Sequence, residues 1–119
     1  MPPKKNRLSK KKDFEKVFKE GGYYRQGFIS IRTVKNNLKF NRYGFVVSLK
    51  ISKKAVVRNK IRRRLSEIVR LKLKEMKPGF DIVVLTQPGI IGRGYRETEQ
   101  TLVDLFKKSG IYGFSNPNF

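Results

Sequence analysis

Two side chains that carry much of enzyme chemistry are absent from this 119-residue sequence, which contains no cysteine and no histidine. Without cysteine, the chain can form neither disulfide bonds nor thiolate metal sites, and it has no thiol nucleophile. Without histidine, it lacks the commonest general base and metal ligand of proteins. We therefore do not expect a protein that catalyses a reaction with its own side chains alone.

Acidic residues are scarce. The chain has 9 of them against 29 lysines and arginines, which gives a formal net charge of +20 and a pI near 10.6. Self-repulsion on this scale destabilises a compact fold unless a polyanion neutralises it. Each cation placed against a phosphate releases condensed counterions, so nucleic acid is the leading partner and an anionic membrane surface is the competing one.

Long apolar runs are also lacking. No stretch approaches the roughly 18 to 20 apolar residues of a membrane-spanning helix, and the basic residues 1–12 are not followed by the apolar core of a signal peptide. These features predict a cytoplasmic protein without a membrane partner. Hydrophobic residues still make up 38% of the chain, which is enough to build the core of one folded domain.

Three helices are predicted from the spacing of apolar residues. The first has Ser9 as its N-cap and places Phe14 and Phe18 one turn apart on an inward stripe. The other two, over about residues 55–76 and 96–108, each carry one continuous apolar face and end near a glycine.

Strands are predicted on both sides of the middle helix. Residues 28–34 and 43–49 are rich in β-branched and aromatic side chains, and Asn36 and Asn37 between them suit a turn, so an antiparallel hairpin is the economical interpretation. Residues 80–86 contain a continuous apolar run, which is typical of a central strand or of one covered on both faces.

A dense group of cations opens the middle helix, with the sequence Arg58-Asn59-Lys60-Ile61-Arg62-Arg63-Arg64. Like charges one turn apart are unfavourable, so a helix with no anionic partner would avoid this density. A guanidinium group can donate two hydrogen bonds to a phosphate, and the Asn59 amide can reach a base edge or a ribose hydroxyl. The alternative interpretation is a solvated basic face.

This group resembles the RNR motif of the bacterial ribonuclease P protein family, with Ala55-Val56 before it and Glu67 after it. The opening helix of that family is similar to residues 8–21, and its central strands are similar to residues 44–50 and 79–84. The resemblance extends over about residues 7–110.

The resemblance implies a single α/β domain. It would be an α+β two-layer sandwich like domain 2 of ribosomal protein S5, with the element order α-β-β-β-α-β-α. A left-handed βαβ crossover is also implied, against the usual right-handed rule. The domain is expected over residues 8–110, between a flexible basic arm at residues 1–7 and a C-terminal tail at residues 111–119.

Two RNA-binding surfaces are implied by the same resemblance. One is the RNR helix, which approaches the catalytic RNA with Arg58, Asn59, Lys60, Arg62, Arg63 and Arg70. The other is a cleft between the first helix and the sheet, which receives the 5′ leader of precursor tRNA and contains Phe14, Phe18, Lys50, Lys53 and Lys54. Read without the resemblance, the two phenylalanines are ordinary core residues, since aromatic side chains at helical spacing usually pack.

The sequence departs from the family pattern at three positions. Ser66 stands where a second arginine is usual, so that contact is expected to be lost or moved to Arg64 or Arg70. Ile31 replaces an aromatic residue of the sheet, and Gln87 replaces a basic residue. Because of these departures, the sequence does not determine which residues line the leader cleft.

For function, the resemblance implies the RNA-binding subunit of an endoribonuclease, ribonuclease P, with one protein per RNA. The reaction is hydrolysis of one phosphodiester, and its chemistry would belong to Mg²⁺ held mainly by the RNA. No protein residue is expected to be catalytic, and Asp81 and Glu67 are expected to be structural. Two alternatives stay open: a ribosomal or other structured-RNA-binding protein with no role in cleavage, and a free-standing protein nuclease.

Overall fold

Residues 3–113, the part of the chain that the computed structural model describes, form helices packed on a four-stranded sheet. The order of the main elements is α1 (Lys11–Glu20), β1 (Gly22–Gln26), β2 (Ile29–Lys35), β3 (Arg42–Val46), α2 (Ala55–Lys72), β4 (Phe80–Thr86) and α3 (Tyr95–Lys108). Short 3-10 turns lie at Lys4–Asn6, Leu73–Glu75 and Pro88–Ile90. The expected order α-β-β-β-α-β-α is confirmed.

The sheet has the strand order β1-β2-β4-β3, so the predicted hairpin between residues 28–34 and 43–49 is wrong. β2 pairs antiparallel with β1 and with β4, whereas β3 runs parallel to β4 on its other side. β4 takes the central place because its apolar run needs cover on both faces and hydrogen bonds on both edges. Asn37, at φ 60°, turns the chain in the loop between β2 and β3.

The resemblance implied three strands before the middle helix, but the residue pattern did not locate the first of them, β1. It is an edge strand with three exposed residues, Gly22, Tyr23 and Arg25, and it does not show the alternation of apolar and polar residues that marks a half-buried strand. It joins β2 through Gly27, which has a positive φ of 57°. A glycine there provides the backbone conformation that this short connection needs.

Helices cover both faces of the sheet. Ile82 and Val84 of β4 pack with α2 and α3 in the larger core, whereas Val83 and Leu85 pack with α1 in a smaller cluster. The structure therefore adds a partial third layer, formed by α1, to the two layers expected from the resemblance. The sequence predicted that this strand is central or covered on both faces, and β4 is both.

The helix boundaries differ from the predictions by a few residues. α1 begins after Lys10, so Ser9 is not its N-cap, and Gly21 ends it. α2 ends at Lys72 and continues as a 3-10 turn, a few residues before the predicted end. Within residues 3–113, no helix combines the length and the apolar composition needed to cross a membrane.

The residues before α1 form a strap, residues 3–8, along the outer edge of β3. Arg7 bridges to Tyr43, and the buried Asn6 donates its amide Nδ2 to the Asn41 carbonyl at 2.7 Å. The described part of the predicted flexible arm is thus held by specific hydrogen bonds.

The predicted tail also begins within the fold. Ile111 is fully buried in the larger core, and Tyr112 bridges to Met76. The remaining residues of the two predicted terminal segments, 1–2 and 114–119, lie outside the described range.

Arg42 connects β3 to two other elements. Its Nε and Nη2 donate to the two carboxylate oxygens of Asp81 on β4, at 2.8 and 2.6 Å, and its Nη1 donates to Asp13 on α1 at 3.2 Å. Asn36 donates to the same Asp81 carboxylate at 2.9 Å. Hydrogen bonding to Asp81 is the largest cause that raises the pKa of Arg42 above its ordinary value. The structural role expected for Asp81 is confirmed.

Replacing Arg42 with methionine should destabilise the fold strongly. The substitution keeps an unbranched apolar stem but leaves the Asp81 carboxylate, only 3% exposed, without its cation. Removal of one partner from a buried ion pair costs about 3 to 5 kcal/mol. We expect a loss near the lower end of that range in urea denaturation, because the Arg42 side chain is 23% exposed.

The matched control for this prediction is Lys11→Met. Lys11 forms an exposed pair with Glu15 at 4.0 Å, and exposed pairs contribute about 1 kcal/mol or less. Equal losses in the two variants would contradict a central role for Arg42.

Candidate RNA-binding site

One flank of α2 collects several residues of the predicted motif. At about 100° per residue, Asn59, Arg63 and Ser66 fall within one narrow arc, and Arg62 lies at its edge. The opposite side of the helix, including Leu65 and Ile68, is buried against the sheet. Amphipathic packing of α2 therefore fixes the direction of this polar flank.

This flank forms one wall of a groove of about 670 Å³, which we call the aromatic groove. α1, the strap and β3 form its other sides. The lining residues are Arg7, Leu8, Phe14, Tyr43, Gly44, Phe45, Val56, Asn59, Arg62, Arg63 and Ser66. Aromatic and aliphatic groups supply most of the surface, three arginines stand among them, and none of these residues carries a carboxylate.

Arg62 is held in place over the groove. Its Nη2 donates to Asn59 Oδ1, and its Nη1 lies 3.4 Å from the Val47 carbonyl oxygen. The Asn59 amide Nδ2 has no hydrogen bond among the described residues. This arrangement presents a fixed guanidinium group beside an amide donor, which suits a phosphate next to a base or ribose.

Arg58 does not line the aromatic groove. It is half-buried at the start of α2, and its Nη1 donates to the Ser52 carbonyl at 2.9 Å. Arg58 therefore fastens the loop between β3 and α2 to the helix. Arg58 and Arg62 are both half-buried, beside the apolar side of α2.

The other α2 residues predicted to bind RNA lie outside the aromatic groove. Lys60 lines a depression on the opposite flank of α2, where Arg64 donates to the Arg93 carbonyl at 2.7 Å. Arg70 lies farther along the helix and donates twice to Glu67, at 3.0 and 2.6 Å. These hydrogen bonds lower the pKa of Glu67 below its ordinary value and raise that of Arg70. The structural role expected for Glu67 is consistent with this pair.

Phe14 is the predicted cleft residue that lies in the groove. Its ring packs on the backbone of Gly44 in β3, where an added Cβ would lie 2.6 Å from the ring carbons Cε1 and Cζ. Phe14 is also packed against the smaller core cluster. The two interpretations of Phe14, as a core residue and as a ligand platform, are thus compatible.

Phe18 lies outside the aromatic groove and is 42% exposed, so it is not a core residue. The Arg32 guanidinium lies between the Phe18 and Tyr23 rings, 5.8 and 4.9 Å from their centroids. The predicted lysines of the cleft occupy the exposed loop before α2, and they do not line the groove either: Lys50, Lys53 and Lys54.

Three groove residues were not singled out from the sequence: Arg7, Tyr43 and Phe45. The alternation of β3 could have placed the two aromatic residues on one face, but a strand pattern does not reveal which edge stays open. Burial raises the pKa of Tyr43 to about 12, so its phenol remains neutral and accepts a hydrogen bond from Asn41. No sequence signal points to Arg7.

The three departures from the family pattern have different consequences. Ser66 is buried and lines the aromatic groove, where its short side chain leaves the groove open. Ile31 is buried in the larger core, on the face of the sheet opposite α1, and Gln87 is half-buried after β4. Of the three departures, the one at Ser66 alters the groove.

Replacing Gly44 with alanine should displace the Phe14 ring. The new Cβ would overlap the far end of a flexible side chain, so the ring can move while the strand stays in place. We expect weaker binding of single-stranded RNA, by less than the roughly 1 to 3 kcal/mol of a complete stacking contact. Fluorescence anisotropy with a short oligoribonucleotide measures this change.

Gly94→Ala is the control for the Gly44 variant, because no atom lies within 4 Å of a Cβ at that position. Its RNA affinity should equal that of the unmodified chain. Unchanged affinity in Gly44→Ala, with the Phe14 ring displaced, would show that the ring does not contact RNA.

Comparisons with known proteins point to a single family. A family model described as Ribonuclease P matches residues 1–110. A ribonuclease P protein component of Clostridium botulinum is 38% identical over 110 residues, which cover 92% of this chain and 98% of the relative. One from Synechocystis is 34% identical over 110 residues and covers 92% and 89%.

Solved structures share the fold. The ribonuclease P protein of Thermotoga maritima superposes with a TM-score of 0.80 at 31% identity, covering 86% of this chain and 96% of that one. A Staphylococcus aureus ribonuclease P protein mutant gives a TM-score of 0.85 at 24% identity and covers 92% of each chain. The second likeness concerns the fold alone.

Proposed function

This chain belongs to the ribonuclease P protein family, and from that premise we propose that it holds the 5′ leader of precursor tRNA in the aromatic groove while a catalytic RNA cleaves the substrate. Family membership identifies it as the RNA-binding subunit of ribonuclease P, the partner of ribonuclease P RNA in tRNA processing. The leader contact, the division of chemistry between RNA and protein, and a ratio of one protein per RNA belong to the proposal.

The observation that carries the proposal is the junction of the two predicted surfaces. Phe14 on α1 and the Asn59, Arg62 and Arg63 group on α2 line the same groove. Arginine forks bind phosphates, whereas an aromatic face stacks with any base. A leader of variable sequence requires this combination, because its phosphates are constant and its bases are not.

The carboxylates in residues 3–113 are dispersed rather than grouped. Among the described residues, no three acidic side chains come together as metal ligands. Eight of the nine carboxylates accept hydrogen bonds from or pair with neighbouring groups: Asp13, Glu15, Glu67, Glu75, Asp81, Glu97, Glu99 and Asp104. The donor set does not fit a protein-held ion, so we assign no step of the reaction to one.

The reaction in this proposal is the hydrolysis of one phosphodiester, which leaves a 5′-phosphate on tRNA and a 3′-hydroxyl on the leader. The Mg²⁺ that this chemistry uses would be held mainly by the RNA partner. The protein contributes position and charge: it orients the leader and neutralises phosphates near the scissile bond.

Reconstitution tests this division of roles. The protein should restore cleavage of precursor tRNA by a bacterial ribonuclease P RNA at low Mg²⁺ concentration, where the RNA alone is slow, and the protein alone should cleave nothing. A structured-RNA-binding protein unrelated to cleavage would give no stimulation. Cleavage by the protein without RNA would identify a free-standing nuclease and overturn the proposal.

RNA binding is tested by removing Arg62 and Arg63. Arg58 is left in place because it holds the loop before α2, so its loss would disturb structure as well as charge. The Arg62→Ala/Arg63→Ala variant should weaken RNA binding. The slope of log K against log salt should become shallower by about 0.7 to 0.9 for each lost phosphate contact. The control is Lys16→Ala/Lys19→Ala, which removes equal charge from the exposed side of α1. Equal effects in both variants would indicate non-specific electrostatics.

The leader contact is tested by Phe14→Leu and Phe18→Leu, the same change one turn apart on α1. Phe14→Leu keeps apolar volume in the groove but removes the stacking face, which contributes about 1 to 3 kcal/mol per base. The assembled enzyme should then bind precursor tRNA more weakly and mature tRNA almost unchanged. Phe18→Leu should have a smaller effect, because its ring lies outside the groove.

Thermal stability must be measured for both phenylalanine variants. If the affinities for precursor and mature tRNA fall together and follow the melting temperature, Phe14 acts only through the folded population. The leader would then be held elsewhere.

A further inference from the structure

A second basic depression lies beyond the aromatic groove, at the C-terminal end of α2. Its volume is about 390 Å³, and we call it the distal depression. Its charged lining residues are Lys5, Lys39, Arg70 and Lys74. They come from the strap, the loop between β2 and β3, α2, and the 3-10 turn that follows it, so the fold brings together cations that are distant in sequence.

Three of these cations have no carboxylate partner among the described residues: Lys5, Lys39 and Lys74. All three side chains are exposed. Arg70 is paired with Glu67 at 2.6 Å. Three uncompensated ammonium groups around one depression repel each other, and an anion bound between them would relieve that repulsion.

Hydrogen bonds of the buried Asn41 hold the base of the distal depression in place. Asn41 is buried, and its Nδ2 donates to the Lys77 carbonyl at 2.8 Å and to the Tyr43 hydroxyl at 3.1 Å, while its Oδ1 accepts from the Phe80 amide at 2.8 Å. Asn6 of the strap is hydrogen-bonded to the same asparagine. The strap is therefore held against the sheet, and Lys5 projects from a supported segment.

The distal depression continues along the same flank of α2 as the aromatic groove. Tyr43 lines both, and the strap provides a wall of each, with Arg7 and Leu8 at the groove and Lys5 and Asn6 at the depression. Arg63 and Lys74 are 11 positions apart, which is about 16 Å at 1.5 Å per residue. Sites at this separation are too far apart to bind the same phosphate group.

The chemistry of the depression differs from that of the groove. The aromatic ring at its edge, Phe40, is half-buried and covered by Lys5, whose Nζ lies 5.6 Å from the ring centroid. A covered ring is poorly available for stacking with a base. Lysine ammonium groups act as point charges that attract phosphate without reading sequence or strandedness.

We propose that Lys5, Lys39 and Lys74 form a phosphate-binding site for the sugar–phosphate backbone of ribonuclease P RNA, separate from the leader contact. Its occupant is the RNA subunit rather than the leader because the depression offers charge without a free stacking face. The inference rests on the partnership with ribonuclease P RNA but not on leader binding in the aromatic groove. The strap then contacts RNA at both sites, since this one short segment lines the aromatic groove and the distal depression.

The Lys39→Ala/Lys74→Ala variant tests this site by titration with ribonuclease P RNA, without tRNA, over a series of salt concentrations. Affinity should fall on the order of tenfold, and the slope of log K against log salt should become shallower by about 1.4 to 1.8 for the two contacts. Lys39→Arg/Lys74→Arg should retain both affinity and slope. Both residues are exposed and removing them relieves repulsion between like charges, so the melting temperature should not fall.

The control is again Lys16→Ala/Lys19→Ala, which loses the same charge from α1. An equal loss of affinity in that variant, or an unchanged salt slope in Lys39→Ala/Lys74→Ala, would overturn the inference. The ratio of precursor to mature tRNA affinity in the assembled enzyme should stay at its unmodified value. A fall in that ratio would instead assign the depression to the leader. Failure of the leader proposal appears in the Phe14 variant, so the two results are distinguishable.

Discussion

The ion pair between Arg42 and Asp81 is the interaction on which the rest of the site depends. It joins β3 to the central strand through two hydrogen bonds, at 2.8 and 2.6 Å, and Asp13 extends it to α1. Asp13 precedes Phe14, so the network that aligns β3 with β4 also positions α1 above Gly44. The small residue at 44 then lets the Phe14 ring lie against the strand. A charged cluster on one face of the sheet thereby determines the depth and aromatic character of the groove.

The net charge of +20 produces repulsion within the folded protein. The few carboxylates are used mostly to anchor particular cations: Asp81 holds Arg42, Glu67 holds Arg70 and Glu97 holds Arg93. Cations beside the grooves, such as Lys39 and Lys74, are left without such partners among the described residues. Self-repulsion of this kind weakens the free protein and strengthens its attraction to a polyanion. The same distribution of charge therefore predicts both self-repulsion that destabilises the free protein and a strong salt dependence of RNA binding.

Local sequence patterns predicted individual helices and strands better than they predicted which strands pair. The periodicity of α2 and α3 and the apolar run of β4 were sufficient to place those elements, because each signal lies within one continuous segment. The hairpin between residues 28–34 and 43–49 was wrong because strand pairing is decided by competition for the central place in the sheet. β4 lies far away in sequence and still inserts between β2 and β3. β1 was missed because an exposed edge strand needs no apolar alternation, and the strap was missed because it is ordered by hydrogen bonds from Asn6 and to Tyr43.

The sequence by itself indicated that this chain binds a polyanion, that it has neither histidine nor cysteine for catalysis, and that α2 carries a dense motif of arginines beside Asn59. Composition and local spacing contain this information, since charge, residue type and helical periodicity do not depend on distant contacts. Only the tertiary structure decided how the cations divide. It turned Arg58 toward the loop before α2, Lys60 toward the opposite flank and Arg63 into the aromatic groove. It also brought Phe14 beside that arginine and gathered Lys5, Lys39 and Lys74 from three separate segments. Such juxtapositions follow from packing α1 and α2 against opposite faces of one sheet, and no local sequence pattern specifies them.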